Sequence, residues 1–104
     1  MDIRVHKLEQ ENTVSIHTPN NFMPQLTNFL LADNCYDLPR IEPNSGETIT
    51  KGSPYTPETQ ETITLGYIEC VIKQGSINEL VEKMSSEFNL EVLNHGDKDW
   101  TLRS

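Results

Sequence analysis

The chain has 104 residues, with sixteen Asp and Glu against eight Lys and Arg and a formal net charge of −8. That balance excludes phosphate backbones and anionic lipid surfaces as natural partners, because both attract basic proteins. An acidic surface instead suits a basic partner, met quickly through electrostatic steering.

A chain of this length can bury one core without a disulfide or metal staple. Hydrophobic residues make up 35% of it, which is low for a folded domain. The shortfall is concentrated in the middle. The expectation is one domain over residues 1–104, interrupted by a long polar segment at about 34–60.

Residues 3–18 read as a β-hairpin, with Ile3, Val5, Val14 and Ile16 alternating within its arms. Closing the turn over Glu9, Gln10, Glu11 and Asn12 pairs Val5 with Ile16 and Lys7 with Val14. The apolar four then share one face, and Arg4, His6, Leu8, Thr13, Ser15 and His17 take the other.

Residues 21–33 read as a helix, with Asn20 or Asn21 as its cap and Pro24 in its first turn. Phe22, Leu26, Phe29 and Leu30 form the apolar stripe, and Asn34 is the stop. Residues 34–60 carry Pro39, Pro43, Pro54 and Pro57 with Gly46 and Gly52, and read as a loop. Loops this long are functional or disordered as a rule. Thr48–Thr50 can form a short edge strand.

Residues 61–73 give the strongest strand signal. Its alternation changes parity near Gly66, which implies either a bulge there or a second half buried on both faces. Residues 76–89 form an amphipathic helix capped by Ser76 and Glu79, with Ile77, Leu80, Val81, Met84 and Phe88 on one side. Glu79 and Lys83 are spaced to pair along it. A final hairpin turns at His95, Gly96 and Asp97, with Val92 expected opposite Trp100. The fold class is therefore α+β: a mostly antiparallel sheet of N-terminal hairpin, central strand and C-terminal hairpin, with two amphipathic helices packed on it.

No constellation of residues points to chemistry. His6 and His17 share a hairpin face, but a zinc site takes three or four protein ligands, and His95 is too far along the chain to join them. Cys70 lies in an apolar strand beside Glu69, and Cys35 follows a helix C-terminus; neither setting favours a thiolate. Both read as free thiols of a cytosolic protein. Asp97, Lys98 and Asp99 lack the remainder of a calcium loop, and no phosphate-binding glycine loop or nucleophile elbow is present. The sequence calls for no catalytic residue, no metal and no cofactor.

The start, Met1–Lys7, lacks the apolar run of a signal peptide, and no stretch is long enough to span a membrane. A cytoplasmic location is expected. The reading that fits is a small acidic protein-binding inhibitor, such as an immunity protein, an antitoxin or a mobile-element inhibitor, neutralising a basic nuclease-type partner. Such a role needs carboxylates for the partner's Lys and Arg, and no chemistry of its own. The candidate contacts are Asp37, Glu42, Glu47, Tyr55 and Glu58 in the loop, and Glu79 and Glu82 on the second helix. The alternatives are an accessory subunit of a larger assembly, or a small enzyme or ligand-binding domain using a pocket between sheet and helices.

Overall fold

In the computed structural model, which describes residues 1–52, 55 and 60–104, the N-terminal alternation folds in the expected register. Strands β1 (Asp2–Lys7) and β2 (Thr13–Pro19) pair antiparallel, with Val5 opposite Ile16 and Lys7 opposite Val14. That register puts the apolar residues on one face, where Ile3, Val14 and Ile16 are wholly buried.

The first helix starts differently from expectation. A 3-10 turn over Asn20–Phe22 leads into α1 (Met23–Leu31), and neither Asn20 nor Asn21 caps it through its side chain. The chain leaves β2 at Pro19 with no connecting loop, so both asparagines fall inside the turn. Pro24 occupies the opening of α1, where a missing N–H costs nothing. Met23 joins Leu26 and Leu30 on the buried side.

The segment read as a loop holds two strands. β3 (Tyr36–Glu42) and β4 (Thr48–Lys51) lie one after the other along the same edge of β5 (Glu61–Ile72). Pro39 sits where the β3 register shifts between Asp37 and Arg40. An edge strand with a bulge tolerates proline because no neighbour needs the missing N–H. The short strand expected near Thr48–Thr50 is β4.

There is no bulge at Gly66, because β2 and β5 pair without interruption from Thr13–Val71 to Pro19–Leu65. Gly66 lies on the helix-facing side, and a side chain there would strike Met23. The missing apolar residue at that position is supplied by the helix. On the other side of β5, Leu65 is buried, while Tyr67, Glu69 and Val71 are half-buried.

Helix α2 (Ile77–Phe88) is capped as expected, with the Glu79 backbone N–H donating to Ser76 Oγ at 3.2 Å. It ends at Asn89, whose left-handed φ of 55° permits the reversal. Lys83 does not pair with Glu79. Its ammonium reaches across to Asp33 at 3.1 Å, just past the end of α1.

The last hairpin, β6 (Glu91–Asn94) and β7 (Asp99–Arg103), is shifted from the expected pairing: Val92 faces Leu102, and Asn94 faces Trp100. The turn is longer than the glycine alone suggested, because Asn94 Oδ1 accepts from the Gly96 N–H and the His95 N–H donates to the Asp99 carbonyl. A two-residue shift keeps every side chain on its face, so Trp100 and Leu102 remain in the core.

The result is α+β: a seven-stranded antiparallel sheet, ordered β3-β5-β2-β1-β7-β6 with β4 also on β5, and two helices packed on it. Between helices and sheet, Leu26, Leu30, Leu80 and Met84 meet Ile3, Ile16, Ile68 and Leu102. The Phe88 ring stands edge-on to both Phe22 and Phe29, at 4.9 and 5.2 Å, and joins the two helices.

Candidate functional site: the uncovered face of the sheet

Among the described residues no helix covers the second face of the sheet. Cross-strand partners project to the same side, so the registers define its rows. One row runs Glu42, Tyr67, His17, Arg4, Thr101, Leu93. The next runs Arg40, Glu69, Ser15, His6, Asp99, and ends beside His95, whose N–H bonds the Asp99 carbonyl. Ser15, Thr13 and Thr101 are buried, at 4, 5 and 8% exposure, although among the described residues no helix lies over them.

Side-chain contacts tie the rows together. His6 Nδ1 lies 2.5 Å from Asp99 Oδ1. His17 Nε2 is 3.6 Å from Glu47 Oε2, and its ring meets Tyr67 edge-on at 5.2 Å. The Arg40 guanidinium stands 5.3 Å over Tyr67 and donates to Glu42 at 2.7 Å. His95 Nε2 is 3.0 Å from Thr101 Oγ1. A shallow recess of about 410 Å³ opens between Arg4, His6, His17, His95 and Thr101. Partial burial holds the His17 imidazole below its usual titration range, helped by Arg4 and His6 and opposed by Glu47.

The expected contact residues separate into groups. Asp37 and Glu42 stand on β3 on the uncovered side, opposite Val71 and Tyr67, and Glu47 follows in the loop beside Leu65, so these lie in a line along the β5 edge with Glu69 between the first two. Each is in contact with a cation or imidazole: Asp37 with Lys73 at 3.3 Å, Glu42 with Arg40 at 2.7 Å, Glu47 with His17 at 3.6 Å. Glu79 and Glu82 are exposed on α2, in the helical layer on the other side of the sheet, and do not join them. Tyr55 is 92% exposed between β4 and β5. Glu58 lies outside the described residues.

Local reading of the sequence placed Arg4 with His6 and His17 but missed Glu69, Asp99 and His95 as parts of the same surface. His95 is not too distant after all: β7 pairs with β1, which carries the C-terminal turn to the edge of His6. No periodicity within either hairpin signals that pairing. Only their shared need to bury the Val5–Trp100 and Ile3–Leu102 pairs does.

The geometry limits the chemistry. Asp99, His6 and Ser15 stand in line, in the order of a charge-oriented nucleophile. Yet no hydrogen bond joins Ser15 to His6 among the described contacts, Ser15 is nearly enclosed, and the strand N–H groups that would hold an oxyanion are spent in the ladder. Among the described residues no three His, Cys, Asp or Glu side chains converge as metal ligands. Burial pushes the Cys70 thiol up to about 12, and a bond to Asp33 raises Cys35, so neither is an activated thiolate. A larger recess of about 710 Å³ lies between the 3-10 turn and the start of β5, where Thr62 and Thr64 face Asn20 and Phe22. Among the described residues no helix is long and apolar enough to cross a membrane.

Comparison with known protein families, characterised proteins and solved structures returns no match to this chain.

Proposed function

We propose that this chain is a protein-binding inhibitor that docks a basic, nuclease-type partner on the uncovered face of its sheet, in the manner of an immunity protein or antitoxin. The observation that carries the reading is a line of carboxylates along one antiparallel face: Asp37 and Glu42 on β3, opposite Val71 and Tyr67, Glu47 after β3 beside Leu65, and Glu69 on β5. A flat sheet presents these groups at fixed spacing, so little ordering entropy opposes association. Asp37 and Glu42 are held by exposed ion pairs to Lys73 and Arg40, worth about 0–1 kcal/mol each, and Glu47 by the His17 imidazole, so an incoming guanidinium can replace these contacts. The face works by charge complementarity and needs no reaction of its own, and the working location is the cytoplasm.

Affinity capture from the native host tests this with two charge-reversed forms. Glu42→Lys with Glu47→Lys removes the acids of the face. Glu82→Lys with Glu87→Lys makes the same change in net charge on α2. A basic protein kept by the wild type and the α2 form, and lost by the face form, is the expected result. Retention by all three forms, or partners with no excess of Lys and Arg, sinks the proposal. A stable multi-subunit complex would instead mark an accessory domain.

A further inference from the structure

One end of the uncovered face forms a small recess around a guanidinium. It is lined by His17 on β2, Arg40 and Glu42 on β3, Ser45 and Glu47 in the loop after β3, and Tyr67 on β5, and its volume is about 290 Å³. Ordinary ligand pockets run from about 300 to 1,000 Å³, so this one suits a single side-chain head group. Backbone bonds fix its loop wall: the Leu65 N–H donates to the Glu47 carbonyl at 2.9 Å, and the Ser45 N–H donates to the Leu65 carbonyl at 3.0 Å.

Arg40 already occupies the recess. Its guanidinium stands 5.3 Å over the Tyr67 ring, and its Nε and Nη2 each lie 2.7 Å from Glu42 Oε1. Resting on the docking reading above, we propose that the recess is an arginine seat: the basic partner inserts one arginine side chain between the Tyr67 ring and the Glu42 and Glu47 carboxylates, displacing Arg40, which holds the place in the unbound protein.

The recess matches a guanidinium in shape and in charge. That group is planar and weakly hydrated, stacks on aromatic faces and forks onto carboxylates, whereas a lysine ammonium is a compact, strongly hydrated point charge. Tyr67 supplies the aromatic face, with the His17 ring edge-on beside it at 5.2 Å. Around the recess Asp37, Glu42, Glu47 and Glu69 stand against Arg40, Lys73 and Arg4, so one further guanidinium brings the charge to balance.

Arg40 is a replaceable occupant. It lies two residues before Glu42 on the same strand, so it reaches the carboxylate from the side and both nitrogens meet one oxygen. A guanidinium entering from solution can come head-on and take both oxygens in the parallel fork, which is the stronger arrangement. Arg40 is exposed and has Glu69 as its cross-strand partner, so a second carboxylate is at hand when it is displaced.

The test titrates the protein with poly-arginine and poly-lysine of matched length at about pH 7.5, where both are fully charged, and reads the ratio of the two affinities. The wild type should bind poly-arginine about tenfold more tightly than poly-lysine. Tyr67→Leu removes the stacking face and should bring that ratio below about twofold. Arg40→Gln clears the seat and should raise the ratio by about threefold. Lys73→Gln removes the same charge beside Asp37, and should strengthen both probes alike and leave the ratio unchanged. Arg40 and Lys73 are exposed, so these two forms decide the matter even where Tyr67→Leu fails to fold. A wild type that binds both probes equally overturns the seat. So does a ratio that Arg40→Gln leaves unchanged, or that Lys73→Gln raises as much, since the preference would then belong to the acidic surface at large. Binding of neither probe overturns the docking reading itself.

Discussion

The Met23 side chain lies where a side chain on Gly66 would go: a Cβ at Gly66 would fall 2.5 Å from Met23 Cγ and Sδ. Helix and strand share one volume, filled from the helix. Gly66→Ala is therefore expected to destabilise the fold by about 1–3 kcal/mol through overpacking. The penalty should shrink in a Met23→Ala background, where the space is open. Denaturant titrations of the two single variants and the double variant measure the coupling. Strictly additive effects would mean that the two residues do not compete for the site.

Asp33 closes the gap between the two helices. The nearby Cys35, whose backbone N–H donates to the carboxylate at 3.0 Å, and then Lys83 at 3.1 Å hold its pKa down from 3.8 to about 2. Lys83 lies 5.2 Å from the Tyr36 ring as well. A depressed carboxylate stabilises the fold at pH above its unfolded value. That contribution is lost as the pH falls from about 4 toward about 2. Thermal melts across this window should show the wild type losing stability and Asp33→Asn losing less. Parallel curves would assign the acid sensitivity to other carboxylates.

Leu80 is wholly buried at the centre of α2, and Leu80→Ala should cost about 2–5 kcal/mol by leaving a cavity. Phe88 is only half-buried but touches both Phe22 and Phe29. Phe88→Leu keeps most of the apolar area and removes the ring–ring geometry, so about 1–2 kcal/mol is expected. Chemical denaturation separates the two. A near-neutral Leu80→Ala would place that face of α2 outside the core.

Elements whose signal is local were legible in the sequence. The β1–β2 register follows from four alternating residues, and α2 from its cap and stripe. β3 was hidden because Pro39 and the charges of Asp37, Arg40 and Glu42 look like loop, and only the accepting edge of β5 makes a strand of them. The parity change at Gly66 was visible, but its cause sits on α1. The same holds for the candidate site. Asp37, Glu42 and Glu47 were legible as exposed acids, whereas their separation from Glu79 and Glu82, and the arrival of His95 beside His6, depend on which strands pair across the whole chain.

The uncovered face also predicts how association should respond to salt. Exposed charges steer a partner over distances comparable to the screening length, about 10 Å at 0.1 M and about 3 Å at 1 M. With the captured partner in hand, stopped-flow association rates should fall about tenfold or more across that range, with a smaller change in dissociation. Glu42→Lys with Glu47→Lys should start slower and show a flatter dependence, because the acids on the proposed docking surface have changed sign. Glu82→Lys with Glu87→Lys carries the same net charge, but its substitutions sit on α2, with the sheet between them and the face. It should keep most of the wild-type rate and nearly all of its slope. Equal slowing in both variants would mean that total charge alone steers the encounter and that the β3 edge has no special place in it. A rate indifferent to salt in all forms would remove steering altogether and leave shape and apolar contact to account for binding.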